Sequence, residues 1–297
     1  MARQKLTTIL GAVLAFAWMA SAGLAQTAVT SATQPSADQR ESAAALAQEA
    51  TNPFSRSWLL QIQQNNSWTE LPLDRGNRMR SNLQFQPLMS VPLTEQWGMY
   101  VRPVVTMVNS LPHLDQNGQR DRTAGFGDTV LGVALAHRPL FGGRLVVGAG
   151  PTFIFPTASK RELGQDTWQA GPDVGATLLG KNFIAYAFVQ QWFKAGGDGR
   201  DTNQMNGVFN FTYTFTNGWT LGSQPNLSVD WNARGDDGVA FSIGPQIGKM
   251  CKCGGAPTLL QVQVEYYAVR PSGAGPKWNI QLQVTPTIPA LIKKAVF

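Results

Sequence analysis

The chain has 297 residues, of which 43% are hydrophobic and 14% are charged, and its formal net charge is +6 at pH 7. This apolar share is ordinary for a soluble protein, and only the extreme N-terminus approaches the roughly twenty apolar residues of a membrane-spanning helix, so a helical membrane bundle is excluded. Lysine and arginine are scattered and form no run, which argues against nucleic acid as a partner.

The N-terminus has the three-part order of a secretory signal peptide. Arg3 and Lys5 precede an apolar core at 9–19, and small residues follow at 20–25. The alternative of a membrane anchor is disfavoured because the apolar core is too short. We therefore expect residues 1–25 to be removed on export, so that the mature chain works outside the cytoplasm.

Residues 26–55 are rich in Ala, Ser, Gln and Thr. Such a composition buries little apolar surface and predicts a flexible or weakly helical periplasmic lead-in. A short helix is expected within it, over 42–50.

From about residue 78 to residue 284, within a predicted barrel domain at 56–285, apolar and polar residues alternate in runs of roughly ten, which lets a strand present one face to lipid and the other to water. Met205, Phe209 and Phe211, for example, alternate with Asn206 and Asn210. The pattern predicts an all-β fold, an antiparallel up-and-down transmembrane β-barrel of about twelve strands. The predicted strands cover 56–65, 78–90, 99–109, 126–137, 144–155, 167–179, 183–194, 204–216, 219–232, 239–248, 258–269 and 277–285.

Short turns and longer polar loops alternate between these strands. Outer-membrane barrels have short turns on the periplasmic side and long loops outside, and an even strand number brings both chain ends to the periplasm. Residues 286–297 are accordingly predicted to form a C-terminal periplasmic tail. The predicted location is the bacterial outer membrane, with its lipid and the barrel-assembly machinery as partners.

A soluble β-sandwich is the main structural alternative, because its strands also alternate. The predicted strands are longer than the five or six residues typical of soluble sheets. Tryptophans also gather near strand ends, where barrels place an aromatic belt at each membrane surface. They are Trp58, Trp97, Trp168, Trp192, Trp219, Trp231 and Trp278.

Prolines occur within several predicted strands, although proline cannot donate a hydrogen bond to the sheet. We expect bulges or interruptions of the ladder at these positions, with nearby glycines accommodating the bends. The prolines are Pro87, Pro103, Pro151, Pro172, Pro225 and Pro245.

The inward face of the predicted barrel is polar and carries a few charged residues. Charged rings set ion selectivity in channels, and opposed acidic and basic groups orient a dipolar solute. Alternatively, these residues pair across strands and fill a narrow lumen. The candidate selectivity residues are Arg80, Arg102, Asp128, Asp173, Asp230 and Glu265.

The two cysteines, Cys251 and Cys253, are separated by one residue. In an oxidising compartment they could close a strained disulfide ring or stay as free thiols. A metal site would need further ligands, and the two histidines, His113 and His137, are predicted at opposite membrane faces. No metal, cofactor or nucleophile–base pair is therefore expected, and we predict that the protein is not an enzyme.

Several short motifs, in this order, resemble one bacterial outer-membrane family. They are GFGD at 125–128, GAGP at 148–151, FPTA at 155–158, LG at 163–164, GP at 171–172, QW at 191–192, AG at 195–196, GW at 218–219 and DW at 230–231. The resemblance is to the family labelled "MetA-pathway of phenol degradation", some relatives of which carry the label "neuromedin U", and it covers residues 52–285. One departure is that the chain continues after residue 285 to a terminal Phe297.

The resemblance implies an outer-membrane barrel that acts as a channel or transporter of small aromatic or hydrophobic compounds, and it implies no catalytic residues. Our preferred prediction is passive passage of small solutes through the barrel interior. The alternative is a structural or adhesive barrel with a closed lumen, in which external loops, especially 110–125, are functional.

Overall fold

The structure is a computed structural model that describes residues 37–71, 74–114, 117–137, 140, 143–234, 237–271, 275–292 and 294–296. The predicted signal peptide at 1–25 and the first part of the predicted lead-in, 26–36, lie outside the described residues. No helix in the described part of the chain is both long and apolar enough to cross a membrane.

One helix precedes a series of antiparallel strands. The elements are α1 (Ala37–Thr51), β1 (Trp58–Leu71), β2 (Asp74–Pro92), β3 (Trp97–Leu114), β4 (Arg120–Phe126), β5 (Thr129–His137), β6 (Leu145–Phe155), a 3-10 turn (Arg161–Leu163), β7 (Trp168–Leu179), β8 (Phe183–Gly196), β9 (Asn203–Thr214), β10 (Trp219–Ser223), β11 (Asn226–Asp230), β12 (Val239–Ile243), β13 (Pro245–Cys253), β14 (Ala256–Val269) and β15 (Pro276–Ile288). The helix predicted over 42–50 thus extends by several residues at its N-terminal end.

The strands form one closed sheet. Successive strands pair antiparallel except at three bends, and β15 pairs with β1 from Trp58 opposite Ile288 to Thr69 opposite Pro276. β4 and β5, β10 and β11, and β12 and β13 are each one wall strand divided by a bend, so the wall has twelve strands. The predicted twelve-stranded antiparallel barrel is confirmed, and every predicted strand overlaps one wall strand.

The distribution of apolar and polar side chains is inverted relative to a soluble protein. Along β14, Leu260 and Val262 are each 41% exposed, whereas Gln261 between them is 7% exposed and Gln263 is 1% exposed. β15 repeats the pattern, with apolar side chains outward and amides inward. Apolar residues on the outer face of a closed cylinder are what a lipid environment stabilises.

The strand prolines lie where the ladder is interrupted, as expected. Pro87 and Pro103 face each other in an unpaired stretch of β2 and β3, and Pro172 lies in a similar stretch beside β8. Gly171, immediately before Pro172, has no room for a side chain, because a Cβ there would lie 1.9 Å from the carbonyl oxygen of Gln191. Glycine thus permits the neighbouring backbones to approach closely at the bend.

Most of the strand-end tryptophans form two outward belts. Trp97 and Trp219 lie at the end of the barrel with short turns, and Trp168, Trp231 and Trp278 lie at the end with longer loops, all between 42% and 52% exposed. Trp231 lies twelve positions after Trp219, at the other end of the same wall strand. At about 3.3 Å per residue and a tilt of about 40°, such a strand crosses about 30 Å, the thickness of a bilayer core.

Two residues are less exposed than an outward position on the wall would predict. Trp192 is 6% exposed and points into the barrel, because it shares the inward register of β8, so its assignment to the belt is wrong. Leu227 faces outward but is only 2% exposed, packed with Phe241 and Phe209 from neighbouring strands. The wall strands bend at Pro225 and at Gly244, and we attribute the mutual covering of outward side chains to these bends.

Two predicted long loops are largely extended strand. β1 and β2 continue through most of 66–77, and β3 and β4 continue through most of 110–125. At the opposite end, the β13–β14 turn consists of Gly254 and Gly255 with φ of 58° and 86°. Two consecutive positive φ values are those of a two-residue type I′ hairpin, which explains the pair of glycines.

Candidate functional site

The barrel encloses a cavity of about 820 Å³. Amide side chains on β1, β2, β14 and β15 form a hydrogen-bonded ladder along part of its wall. Gln63 donates through Nε2 to Oε1 of Gln281 at 2.9 Å, and Asn65 donates through Nδ2 to Oδ1 of Asn82 at 3.2 Å. Asn279 donates through Nδ2 to Oδ1 of Asn65 at 3.3 Å. Amides that satisfy one another can line a lumen without a net charge.

Two inward charges, Arg102 on β3 and Asp173 on β7, do not form an ion pair with each other. Arg102 donates a hydrogen bond to Gln86, and Oδ2 of Asp173 accepts one from Gln190 at 3.0 Å. Oδ1 of Asp173 has no hydrogen-bond partner among the described residues, although the residue is only 8% exposed. Because a buried carboxylate oxygen without a partner is costly, this atom is available to bond a solute or water in the cavity.

Gly132 keeps the wall bare between these two charges. It is the register partner of Arg102 on β3, and a Cβ on it would lie 3.2 Å from Oδ2 of Asp173 and 3.4 Å from Nε2 of Gln190. A larger side chain would therefore press on the Asp173 carboxylate. The glycine lets the Asp173 carboxylate and the Gln190 amide lie close to the backbone of β5.

Aromatic side chains face the same cavity and are held by hydrogen bonds. Gln224 donates through Nε2 to the hydroxyl of Tyr186 at 2.5 Å, and Nε1 of Trp192 donates to Oγ1 of Thr152 at 3.1 Å. An inward Trp or Tyr needs such a partner for its polar atom. These contacts fix the two rings in the wall.

The remaining inward charges differ in how far they are satisfied. Glu265 accepts hydrogen bonds from Ser242 at 2.9 Å and from Asn279 at 2.7 Å, so both of its oxygens are occupied. Arg80 lines the cavity, and its side chain makes no hydrogen bond within the part of the chain that the structure describes. Asp230 lies near the end with longer loops, and its Oδ2 is 3.4 Å from Nη2 of Arg200.

Asp128 lies outside the cavity wall. Its Oδ1 accepts a hydrogen bond from the backbone N–H of Ala158 at 3.2 Å, and its Oδ2 accepts one from Gln165 at 2.8 Å. The residue lies at the bend between β4 and β5, where the alternation of inward and outward positions is interrupted. Its two hydrogen bonds hold the 156–167 loop against this bend. The other five selectivity candidates line the cavity: Arg80, Arg102, Asp173, Asp230 and Glu265.

The end of the barrel with short turns is occupied by a plug, which we define as residues 42–57. Ala47 and Ala50 of α1 are 0% and 5% exposed and pack against Met250 and Leu259, which point inward from β13 and β14. Small residues allow the helix to approach the wall closely. The lumen is therefore narrowed here by the chain's own N-terminal segment.

Phe54 is the innermost aromatic residue of the plug. Its ring centroid lies 5.1 Å from that of Tyr100 and 5.4 Å from that of Phe188, and the residue is 5% exposed. The wall opposite is bare at Gly148, where a Cβ would lie 2.9 Å from the Phe54 ring. The cavity consequently has an aromatic floor beneath its polar walls.

Hydrogen bonds also attach the plug to the wall, including one from the Ser90 hydroxyl to the carbonyl oxygen of Arg56 at 2.8 Å. Gln48 donates through Nε2 to the carbonyl oxygen of Lys181 at 2.8 Å, and the Tyr100 hydroxyl donates to the carbonyl oxygen of Phe54 at 3.3 Å. Within the plug, Glu49 accepts from Ser55 at 2.6 Å. The plug is thus attached by both apolar packing and hydrogen bonds.

The composition of residues 26–55 predicts a flexible or weakly helical segment but not its position inside the barrel. A signal was present, because Met250 and Leu259 break the polar pattern of the inward face at the short-turn end. Apolar residues that face a lumen need an apolar partner. The Ala-rich segment and Phe54 supply it.

Comparison with protein families gives a match over residues 91–248, slightly more than half of the chain, to the family described as "Putative MetA-pathway of phenol degradation". Comparison of the sequence with curated proteins gives no match.

Solved structures with the same architecture are outer-membrane channels. The crystal structure of the COG4313 outer membrane channel from Pseudomonas putida F1 has a TM-score of 0.61 and 14% sequence identity, and the match covers 78% of this chain and 95% of that chain. This likeness concerns the fold. Lower TM-scores are found for the CymD monoaromatic hydrocarbon channel (0.46, 9% identity, 88% and 95% covered) and for the Ralstonia pickettii toluene transporter TbuX (0.44, 9% identity, 81% and 92% covered).

Proposed function

The chain belongs to the MetA-pathway of phenol degradation family, and from this premise we propose that it is an outer-membrane channel for the passive passage of small solutes. The observation that carries the proposal is the cavity of about 820 Å³ inside a closed barrel whose outer face is apolar. Tryptophan belts at both ends support its placement across a bilayer. Outer-membrane lipid and the barrel-assembly machinery are the partners that this placement requires.

We propose that the solutes are small molecules with an aromatic or apolar body and a polar group. The floor at Phe54, Tyr100 and Phe188 suits the apolar body, since aromatic rings prefer offset or edge contacts at such distances. The amide ladder and the charged wall suit the polar group. The proposed role is transport without chemical change of the solute.

Arg102 and Asp173 are proposed to orient the solute. They present opposite charges to one cavity, and neither is neutralised by a direct ion pair with the other among the described contacts. A dipolar solute gains by aligning with such a field. Arg80 and Asp230 are proposed to set the ion preference nearer the long-loop end, and Glu265 to hold the wall.

Passage also requires a way past the plug. Because α1 contacts the wall through small alanine side chains, we propose that the plug shifts within the barrel when a solute crosses from the cavity to the periplasm. The apolar contacts of Ala47 and Ala50 with the wall can re-form after each shift.

Reconstitution of the purified mature protein tests the proposal. Planar bilayers are expected to show discrete conductance steps, and proteoliposomes are expected to swell in benzoate faster than protein-free vesicles. Arabinose serves as a polar solute without an aromatic ring. Folded protein that gives neither conductance steps nor solute flux would overturn the channel proposal.

A structural or adhesive barrel with a closed lumen is the second candidate, and the plug is the observation that favours it. In that case the β3–β4 hairpin, which extends beyond the belts, would carry the function. Shortening this hairpin would abolish binding to a surface or partner while leaving the barrel intact. The channel proposal instead expects solute flux to persist after the same shortening.

A further inference from the structure

The cysteine pair lies at the tip of one hairpin, at the end of the barrel that we place in the periplasm. Cys251 and Cys253 are the last outward positions of β13, and the turn at Gly254 and Gly255 follows immediately. Cys251 is opposite Thr258 in the ladder and Cys253 is opposite Ala256. The pair is therefore outside the cavity and independent of the proposed solute path.

The geometry brings the two sulfur atoms together. Their Sγ atoms are 3.0 Å apart, and Sγ of Cys251 is also 3.3 Å from the carbonyl oxygen of Thr258. Cys253 is exposed and Cys251 is half-buried. Residues two apart on a strand have Cα atoms about 6.6 Å apart, which is near the upper limit for a disulfide, so a bond can form but is strained.

We propose that Cys251 and Cys253 form a reversible dithiol–disulfide couple that exchanges with protein disulfides of the periplasm. The thiolate of exposed Cys253 attacks one sulfur of the oxidant's disulfide and releases the other sulfur as a thiolate, which leaves a mixed disulfide. The thiolate of Cys251 then attacks the Cys253 sulfur and displaces the oxidant. Two thiol protons are lost from the hairpin, and two electrons pass to the oxidant, which leaves as a dithiol.

A purely structural disulfide is a weaker explanation. A ring that closes across a single intervening residue constrains the unfolded chain very little, and the hairpin already has its paired ladder and a type I′ turn. Exposed and strained disulfides are the ones that are reduced readily and take part in exchange. The chemistry of this pair, rather than its effect on stability, is therefore its distinguishing property.

The test uses the full mature protein, isolated from outer membranes after thiols have been blocked with an alkylating reagent. Intact mass is expected to show no alkylation, and two alkyl groups are expected per chain when glutathione is added to the folded barrel before alkylation. Two alkylated thiols without reductant would overturn the proposal. Resistance of the disulfide to glutathione in the folded barrel would overturn its reversible character.

The single variants separate exchange from simple air oxidation. C251S keeps the exposed thiol and is expected to accumulate a mixed disulfide with a periplasmic protein, which reductant releases. C253S keeps only the half-buried thiol and is expected to trap much less. Equal trapping by both variants, or none by either, would contradict the proposed order of attack, while heat-modifiable gel migration verifies that each variant is folded.

Discussion

Arg102 and Asp173 face one cavity from β3 and β7, with the bare position of Gly132 between them. Arg102 is bonded to Gln86 and Asp173 to Gln190, so each charge is held by an amide rather than by the opposite charge. The two opposite charges thus face the cavity without an ion pair between them, which is the arrangement that the proposed orientation of a dipolar solute requires.

Removing one charge of the pair is expected to change ion preference in a defined direction. R102Q leaves Asp173 uncompensated and shifts the channel toward cations, whereas D173N leaves Arg102 uncompensated and shifts it toward anions. A charge–ion interaction of about 1 kcal/mol in water corresponds to a change of about fivefold in the permeability ratio. Reversal potentials in a salt gradient measure this ratio.

D128N is the matched control for these variants. It removes a carboxylate from the same barrel, but Asp128 is hydrogen-bonded to the 156–167 loop and does not line the cavity. Its reversal potential should equal that of the wild type. A shift as large as that of D173N would mean that the ion path does not follow the cavity described here.

Truncating the plug at its innermost ring is expected to increase conductance. F54A removes a ring that contacts Tyr100 and Phe188, so the floor of the cavity opens toward the short-turn end. Single-channel recordings should show larger or more frequent openings. F126A is the control, because Phe126 is 52% exposed on the outer face and has no part in the floor. Unchanged conductance in F54A would indicate that solutes do not pass this ring.

Much of the wall could be predicted because the signal is local. Alternation such as Leu260, Gln261, Val262 and Gln263 places one face of a strand in lipid and the other in the lumen, whatever its neighbours are. Twelve such segments define a barrel. The charges at Arg102 and Asp173 could be assigned inward for the same reason.

Features that depend on contacts distant in sequence could not be predicted in the same way. The plug needs α1 to meet Met250 and Leu259, about two hundred residues away, and its Ala-rich sequence gives no strong amphipathic pattern. Asp128 has the sequence position of an inward residue, but it lies at the bend between β4 and β5 and does not line the cavity. Trp192 is a tryptophan near a strand end, as in a belt, but its position on β8 directs its side chain into the barrel.

The close backbone contact at Gly171 predicts a strong effect of a single methyl group. In G171A the new Cβ would lie 1.9 Å from the carbonyl oxygen of Gln191, so β7 and β8 must separate. Overpacking of this kind costs about 1–3 kcal/mol, and the variant should unfold at lower denaturant concentration. In G196A the new Cβ has no neighbour within 4 Å, so this control should unfold at the same midpoint denaturant concentration as the wild type.

A charge on the outer wall tests whether the apolar face meets lipid. Leu282 lies on β15 between the two belts and is 46% exposed. Arginine at the middle of a membrane barrel costs about 2–4 kcal/mol, so L282R should lower the free energy of unfolding by that amount when folding is measured in lipid vesicles. Leu291 lies beyond the end of β15 and is 75% exposed, so L291R should change it little. Equal free energies of unfolding for the two variants would mean that the face of Leu282 is bathed in water, as in a soluble sheet, and the whole assignment of lumen and lipid sides would be lost.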